Sequence, residues 1–89
     1  MVFECNSCTC TGNLCHGTIW FSPDAKLEWP ELVGVQGSIA KATIEKENPS
    51  VIVRIVYPGL LMTFDVCCNR VWLILNQAGG HVVENPRVG

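Results

Sequence analysis

Four of the six cysteines crowd the start of the chain: Cys5, Cys8, Cys10 and Cys15, with His16 directly after the last. Thiolates and an imidazole in a C-x2-C-x-C-x4-C-H pattern have the donor chemistry to hold zinc tetrahedrally. The pattern fits no zinc module, because two C-x2-C knuckles are expected and one is present. The same sulfurs have a second chemistry, oxidation to disulfides, with Cys67 or Cys68 as partners. A third reading gives them no specific task, in an unstructured extension. Residue types alone leave all three open. Catalysis has less to build on. The two histidines are His16, in this stretch, and His81, beside a turn. Neither belongs to a nucleophile–base constellation, so no enzyme and no cofactor is expected.

A second stretch stands out for the opposite reason. Between two β-rich runs lies Gly59-Leu60-Leu61-Met62-Thr63-Phe64-Asp65-Val66-Cys67-Cys68-Asn69-Arg70. Connectors run over the surface and are normally polar. This one is strongly apolar. Either it continues the neighbouring strands into the core, or it is an exposed apolar loop, which marks a binding surface. The first is the simpler reading of the local sequence.

The elements that must position these residues fit one small domain. The chain has 89 residues, 48% hydrophobic and 16% charged, a globular composition. Net charge is −2 and no basic block occurs, so a nucleic-acid partner is not expected. No apolar run has the roughly 18 residues of a membrane span, so no membrane partner is expected either. Met1-Val2-Phe3-Glu4 lacks the positive n-region of a signal peptide. The compartment is secreted or vacuolar if a signal precedes this sequence, and cytoplasmic otherwise. Residues 1–25 read as a cysteine-rich extension, either disordered or disulfide-tethered, and residues 26–89 as the domain.

Within the extension, Thr18 to Phe21 has strand propensity and Ser22-Pro23-Asp24 reads as a turn. Trp29-Pro30 reads as an extended lead-in, with Trp29 anchored on the core. A helix begins at Gly37-Ser38, with Ser38 at or near the N-cap. Ala40 and Ile44, helped by Ile39, supply its buried stripe, while Lys41, Glu45 and Lys46 face water. Asn48-Pro49 stops it. Val51 to Tyr57 is the strongest strand and Val71 to Leu75 the second. Gln77-Ala78-Gly79-Gly80 is a turn, and His81 to Glu84 a short third strand.

The run Trp29-Pro30-Glu31-Leu32-Val33-Gly34 is where the chain resembles a known family. From there to Gly89 it resembles the potato inhibitor I family of serine protease inhibitors, which includes the barley chymotrypsin inhibitor and eglin. The match rests on that opening, on Ala40-Lys41 and Glu47-Asn48-Pro49, and on Gly59, Thr63-Phe64-Asp65, Asn69-Arg70-Val71 and Pro86-Arg87-Val88-Gly89. The resemblance implies an α+β fold: a single helix packed on a small mixed β-sheet, with a long extended protease-binding loop between two strands. It therefore favours the exposed-loop reading. It implies a serine endopeptidase partner, chymotrypsin-like or subtilisin-like, and a place in plant defence. Phe64–Asp65 would be the scissile bond, with Phe64 as P1 and Asp65 as P1′. Thr63, Met62 and Leu61 would be P2 to P4, and Val66 P2′.

In the family, the residues at P2 and P1′ accept bonds from two arginines on the strand beneath. Thr63, Asp65 and Arg70 match. Trp72 stands where the second arginine is expected, and Cys67 replaces the arginine usual at P3′. Loop support is thus assigned to Arg70 and Trp72, the latter by steric contact. These departures leave a second reading, a relative that binds a protein partner without inhibiting it. Some plant relatives bridge a cysteine at the position of Cys68 to one upstream of the opening tryptophan. The resemblance implies a Cys15–Cys68 bridge, with Cys10 as the alternative partner. Such a bridge contributes about 2–4 kcal/mol.

Overall fold

The computed structural model describes residues 4–60, 62, 63 and 65–89. Helix α1 spans Gly37–Glu47, strand β1 Ile52–Val56 and strand β2 Arg70–Ile74. The strands pair in parallel, with Ile52 opposite Arg70 and Val56 opposite Ile74. Parallel neighbours cannot be joined by a tight hairpin; the chain must travel back along the full strand, through about a dozen residues or more. In βαβ units a helix makes that journey. Here the helix comes before β1, and the return to β2 is made by a loop whose described residues form no helix and no strand beyond a single bridge at Cys67. The length and exposure of the loop thus follow from the parallel pairing.

Single antiparallel bridges widen the pair into a mixed sheet. Val71 faces Val88, Leu75 faces Val82, and Gln36 faces His81. The expected third strand, His81 to Glu84, is reduced to those single bridges. Asn85-Pro86 follows at once, and Pro has no N–H for a ladder. The turn before it forms as expected, closed by Gly80 N–H on Gln77 O at 3.0 Å with Gly79 at φ +70°.

Trp29 is fully buried and anchors the domain as expected. Its indole N–H donates to Glu47 Oε1 at 3.0 Å, so the lead-in is fastened to the last turn of α1. Beside it lie Leu27, Ala40, Ile44, Val53, Val71, Leu73, Val82 and Val88, all buried. Helix α1 departs from expectation in two details. Its N-cap is Gln36 rather than Ser38, with no side-chain cap bond. Ile39 is 56% exposed, so the buried stripe is Gly37, Ala40 and Ile44. Gly37 packs so closely on the sheet that a Cβ there would stand 2.5 Å from Leu75 Cδ1. The Lys41–Glu45 pair forms, and Glu45 Oε2 also accepts from Val53 N–H at 3.1 Å, tying α1 to β1. Asn48 ends α1 and is itself buried. Its Nδ2 donates to Lys26 O at 3.0 Å, and its Oδ1 accepts from Ser50 N–H at 3.1 Å. Pro30–Leu32 forms a 3₁₀ turn instead of continuing extended.

The described part of the extension is packed onto the domain. Thr18 to Phe21 forms no strand, only one bridge from Phe21 to His16. A 3₁₀ turn spans Gly12–Cys15. Cys15 and Phe21 are buried in the same core as Trp29, and Gly12 N–H donates to Val88 O at 2.8 Å. Glu28 accepts from Asn13 N–H at 2.8 Å and from Asn85 Nδ2 at 3.1 Å. The Asn13 N–H, with help from Asn85, holds the Glu28 carboxyl below the usual carboxylate range.

All six cysteines are oxidised, in the pairs Cys5–Cys67, Cys8–Cys68 and Cys10–Cys15. The bridge expected from Cys15 to Cys68 is therefore corrected: Cys68 is bonded to Cys8, and Cys15 to Cys10. The reason is register. Residues 6–8 lie antiparallel to 66–68 with Ser7 opposite Cys67, which brings Cys5 and Cys8 onto the two adjacent loop cysteines. Cys10 and Cys15 are left to close the turn between them. The expectation still had the right neighbourhood, since Cys68 Sγ lies 3.8 Å from Cys15 Sγ and 3.5 Å from Cys10 Sγ. None of these sulfurs is a thiolate, and His16 Nε2 lies 2.7 Å from Ala25 O, directed away from a shared ligand set.

Candidate functional site

Among its described residues the middle of the loop between β1 and β2 is exposed, while Cys67 and Cys68 at its base are buried. Leu60 and Met62 are 46% and 39% exposed, Thr63 and Asp65 lie on the surface, and Val66 is half-buried. Leu61 and Phe64, the expected P4 and P1 residues, lie outside the described residues. The two residues flanking position 64 are bound from below by one side chain. Arg70, at the start of β2, is 4% exposed. Its Nη1 donates to Thr63 Oγ1 at 3.3 Å and to Asp65 Oδ1 at 3.2 Å, and its Nη2 donates to Asp65 O at 2.7 Å. The Thr63 hydroxyl donates in turn to Asp65 Oδ1. A planar fork of five donors suits this task, because it can address several acceptors at once.

The guanidinium is itself fixed on its other sides. Its Nε donates to Gly89 O at 3.0 Å, while Gly89 N–H donates to Arg70 O at 2.9 Å. The Trp72 ring lies against it, 4.3 Å from Cζ to ring centroid, a cation–π contact. Trp72 thus touches the arginine, and among the described residues it makes no hydrogen bond to the loop.

Thr63 and, less strongly, Arg70 hold the Asp65 carboxyl below its ordinary value of 3.8. A carboxylate whose folded-state pKa is lowered contributes fully above the unfolded value and loses that contribution as pH falls through the folded value. The Thr63–Asp65–Arg70 cluster is thus expected to be intact at neutral pH and to open on acidification below about pH 4. NMR of the Arg70 side-chain N–H groups checks this: their shifts stay constant from neutral pH through the ordinary carboxylate range and change only below it, as the bonds to Asp65 are lost.

The far side of the loop is held by the extension. Cys8 N–H donates to Val66 O at 3.2 Å, and Cys68 N–H donates to Asn6 O at 2.8 Å. Asn69 clasps the same segment, its Oδ1 accepting from Asn6 N–H at 2.9 Å and its Nδ2 donating to Glu4 O at 2.7 Å. The roles of Asn6, Asn69 and the Cys5–Cys67 bridge escaped the reading of the sequence. The pair Cys67-Cys68 was the available signal, since two adjacent cysteines facing a cysteine-rich extension suggest two parallel staples.

Comparison with known proteins agrees with this architecture. The profile of the Potato inhibitor I family matches residues 22–89. The chain is 50% identical over 64 residues to an inhibitor of trypsin and Hageman factor from Cucurbita maxima, covering 72% of this chain and 93% of the relative. It is 46% identical over 63 residues to a trypsin/subtilisin inhibitor from Amaranthus caudatus, covering 71% and 90%. Among solved structures it is similar to bitter gourd trypsin inhibitor, with a TM-score of 0.68 and 41% identity over 74% of this chain and 96% of that one. These relatives are inhibitors, not enzymes. With one helix, a small sheet, an exposed loop between its strands and a profile match over most of its length, the chain belongs to the potato inhibitor I family.

Proposed function

We propose that this protein is a reversible, substrate-like inhibitor of serine endopeptidases, with Phe64–Asp65 as the bond offered to the enzyme. The observation that carries the reading is the buried Arg70 guanidinium, bound to residues 63 and 65 on either side of position 64. Met62, Thr63, Asp65 and Val66, with Leu61, are the residues that would line the enzyme's cleft. Arg70 supports the loop directly, and Trp72 supports it by packing on Arg70.

The chemistry is that of an interrupted hydrolysis. The protease serine oxygen attacks the Phe64 carbonyl carbon, and the C–N bond to Asp65 breaks. The serine proton passes through the enzyme's base to the Asp65 nitrogen, leaving an acyl-enzyme and an amine. In a flexible substrate the amine departs and water completes the cut. Here Arg70 holds Asp65 by its side chain and carbonyl, so the amine stays beside the ester and re-forms the peptide bond. A loop already in its bound shape also loses less entropy on binding. That is how a standard interface of about 1,600 Å² can bind very tightly.

Specificity follows from residue 64. Burying a phenylalanine side chain contributes roughly 2–3 kcal/mol in an apolar S1 slot. A trypsin-type pocket would gain little from it and would keep an unpaired acid. Leu61 suits an apolar S4 site. We therefore assign chymotrypsin-like and subtilisin-like targets, although several relatives are named for trypsin. Titration against chymotrypsin, subtilisin and trypsin, followed by mass spectrometry of the mixtures, tests this. The expected result is stoichiometric inhibition of the first two, weak action on trypsin, and a chain that stays mostly intact. Rapid cutting after Phe64 with full recovery of activity would rule out inhibition.

A further inference from the structure

The family profile begins at residue 22, yet the segment before it is bonded to the loop on the Asp65 side. Residues 6–8 add a short antiparallel strand to 66–68 through Ser7 and Cys67. Two backbone hydrogen bonds, two disulfides and both ends of the Asn69 amide fix it there. Everything it holds lies just beyond Asp65, beginning with the Val66 carbonyl. On the strand below, Arg70 donates to Thr63 and Asp65, and among the described residues Trp72 makes no hydrogen bond to the loop.

We propose that residues 4–8 are a further support of the loop, a clamp on the leaving-group side of the reactive bond. The inference rests on Phe64–Asp65 being that bond. When it breaks, the new end is Asp65. Without the clamp, residues 65–69 would be a longer loose end running from the start of β2, with Arg70 holding Asp65. With it, only Asp65 and Val66 precede a covalent anchor at Cys67. A short tether keeps the effective concentration of the amine high at the acyl carbonyl, because the volume its end can explore is small. Cys5 and Asn6, with Asn69 reaching back from the loop base, are positioning residues: they touch no substrate and act through the backbone of 66–69. Because Cys5–Cys67 and Cys8–Cys68 both span residue 64, the cleaved chain also remains one covalent molecule.

Two variants test the clamp. The double variant Cys5→Ser/Cys67→Ser removes the nearer staple and keeps the other two bridges. Asn69→Ala keeps all three bridges and removes the side-chain bonds to Asn6 N–H and Glu4 O. Each is incubated to equilibrium with a trace of chymotrypsin, starting from intact and from cleaved protein. The ratio of cleaved to intact chain is read by mass spectrometry, alongside the inhibition constant. Both variants are expected to raise the ratio and to weaken inhibition, each by about tenfold. A core variant, Val82→Ala, serves as control: it lowers thermal stability and leaves the ratio at the wild-type value, which separates positioning from mere loss of stability. Unchanged ratio and inhibition in both clamp variants would overturn the inference while leaving the proposed function standing. Failure of the wild-type protein to inhibit, or cleavage at another bond, would overturn the proposed function and the clamp with it.

Discussion

Phe64→Lys is expected to turn the inhibitor from chymotrypsin to trypsin, with affinity for chymotrypsin falling and affinity for trypsin rising by about a thousandfold each. The magnitude comes from two asymmetric costs. An apolar S1 slot must desolvate the lysine ammonium with no partner for it, and a buried unpaired charge is among the most unfavourable changes a site can suffer. The trypsin pocket has the reverse defect with phenylalanine, since its acid stays unpaired until a cation arrives. Position 64 lies between Thr63 and Asp65, whose bonds to Arg70 involve the Thr63 side chain and the Asp65 side chain and carbonyl. None uses an atom of residue 64. The exchange should therefore alter specificity and leave loop support as it is. Inhibition constants against both enzymes measure it. A parallel loss toward both would mean that residue 64 does not enter S1.

Arg70→Ala is the second large effect, and it reaches every target alike. One truncation removes the donors to Thr63 Oγ1, Asp65 Oδ1 and Asp65 O, the link to Gly89 O and the partner of the Trp72 ring. Charge-assisted bonds are the stronger class, and these converge on Thr63 and Asp65, the two residues on either side of Phe64. We expect inhibition to weaken by about a hundredfold or more, with cleavage after Phe64 becoming fast. Arg70→Lys should recover little of this, because an ammonium is a point donor that cannot reproduce the fork. Stopped assays that follow both enzyme activity and chain integrity distinguish a poorly held loop, which is cut, from a misfolded chain, which is cut at many sites.

Much of the domain was legible because its signals are local. Asn48-Pro49 stops α1 wherever it occurs, and the alternating run at 51–57 reads as strand without help from tertiary structure. Trp29 was legible as an anchor because a large ring in a short chain has few other places to go. The loop was harder. Its residues look like core strand, and only the order of motifs around it favoured exposure. The physical reason lies in the pairing of β1 with β2: a parallel pair forces a long return, and no local pattern shows whether two strands run parallel. Ile39 misled for a related reason. Periodicity at 37, 40 and 44 sets the buried face, and Gly37 carries no side chain to announce that it belongs there. The bridge pattern was the least legible part. Pairing depends on the register between the extension and the loop, and four of the sulfurs end so close together that no count of spacings separates their partners.

That crowding has a consequence for how the molecule is made. Cys68 has three cysteine sulfurs around it, one bonded and two within 3.8 Å. Thiol–disulfide exchange proceeds by attack of a thiolate on a neighbouring disulfide sulfur. During maturation, a thiolate left at Cys10 or Cys15 would already sit beside the bond that Cys68 has made. Exchange among these four sulfurs therefore needs only small movements of side chains, because an attacking thiolate and the disulfide it attacks are already neighbours.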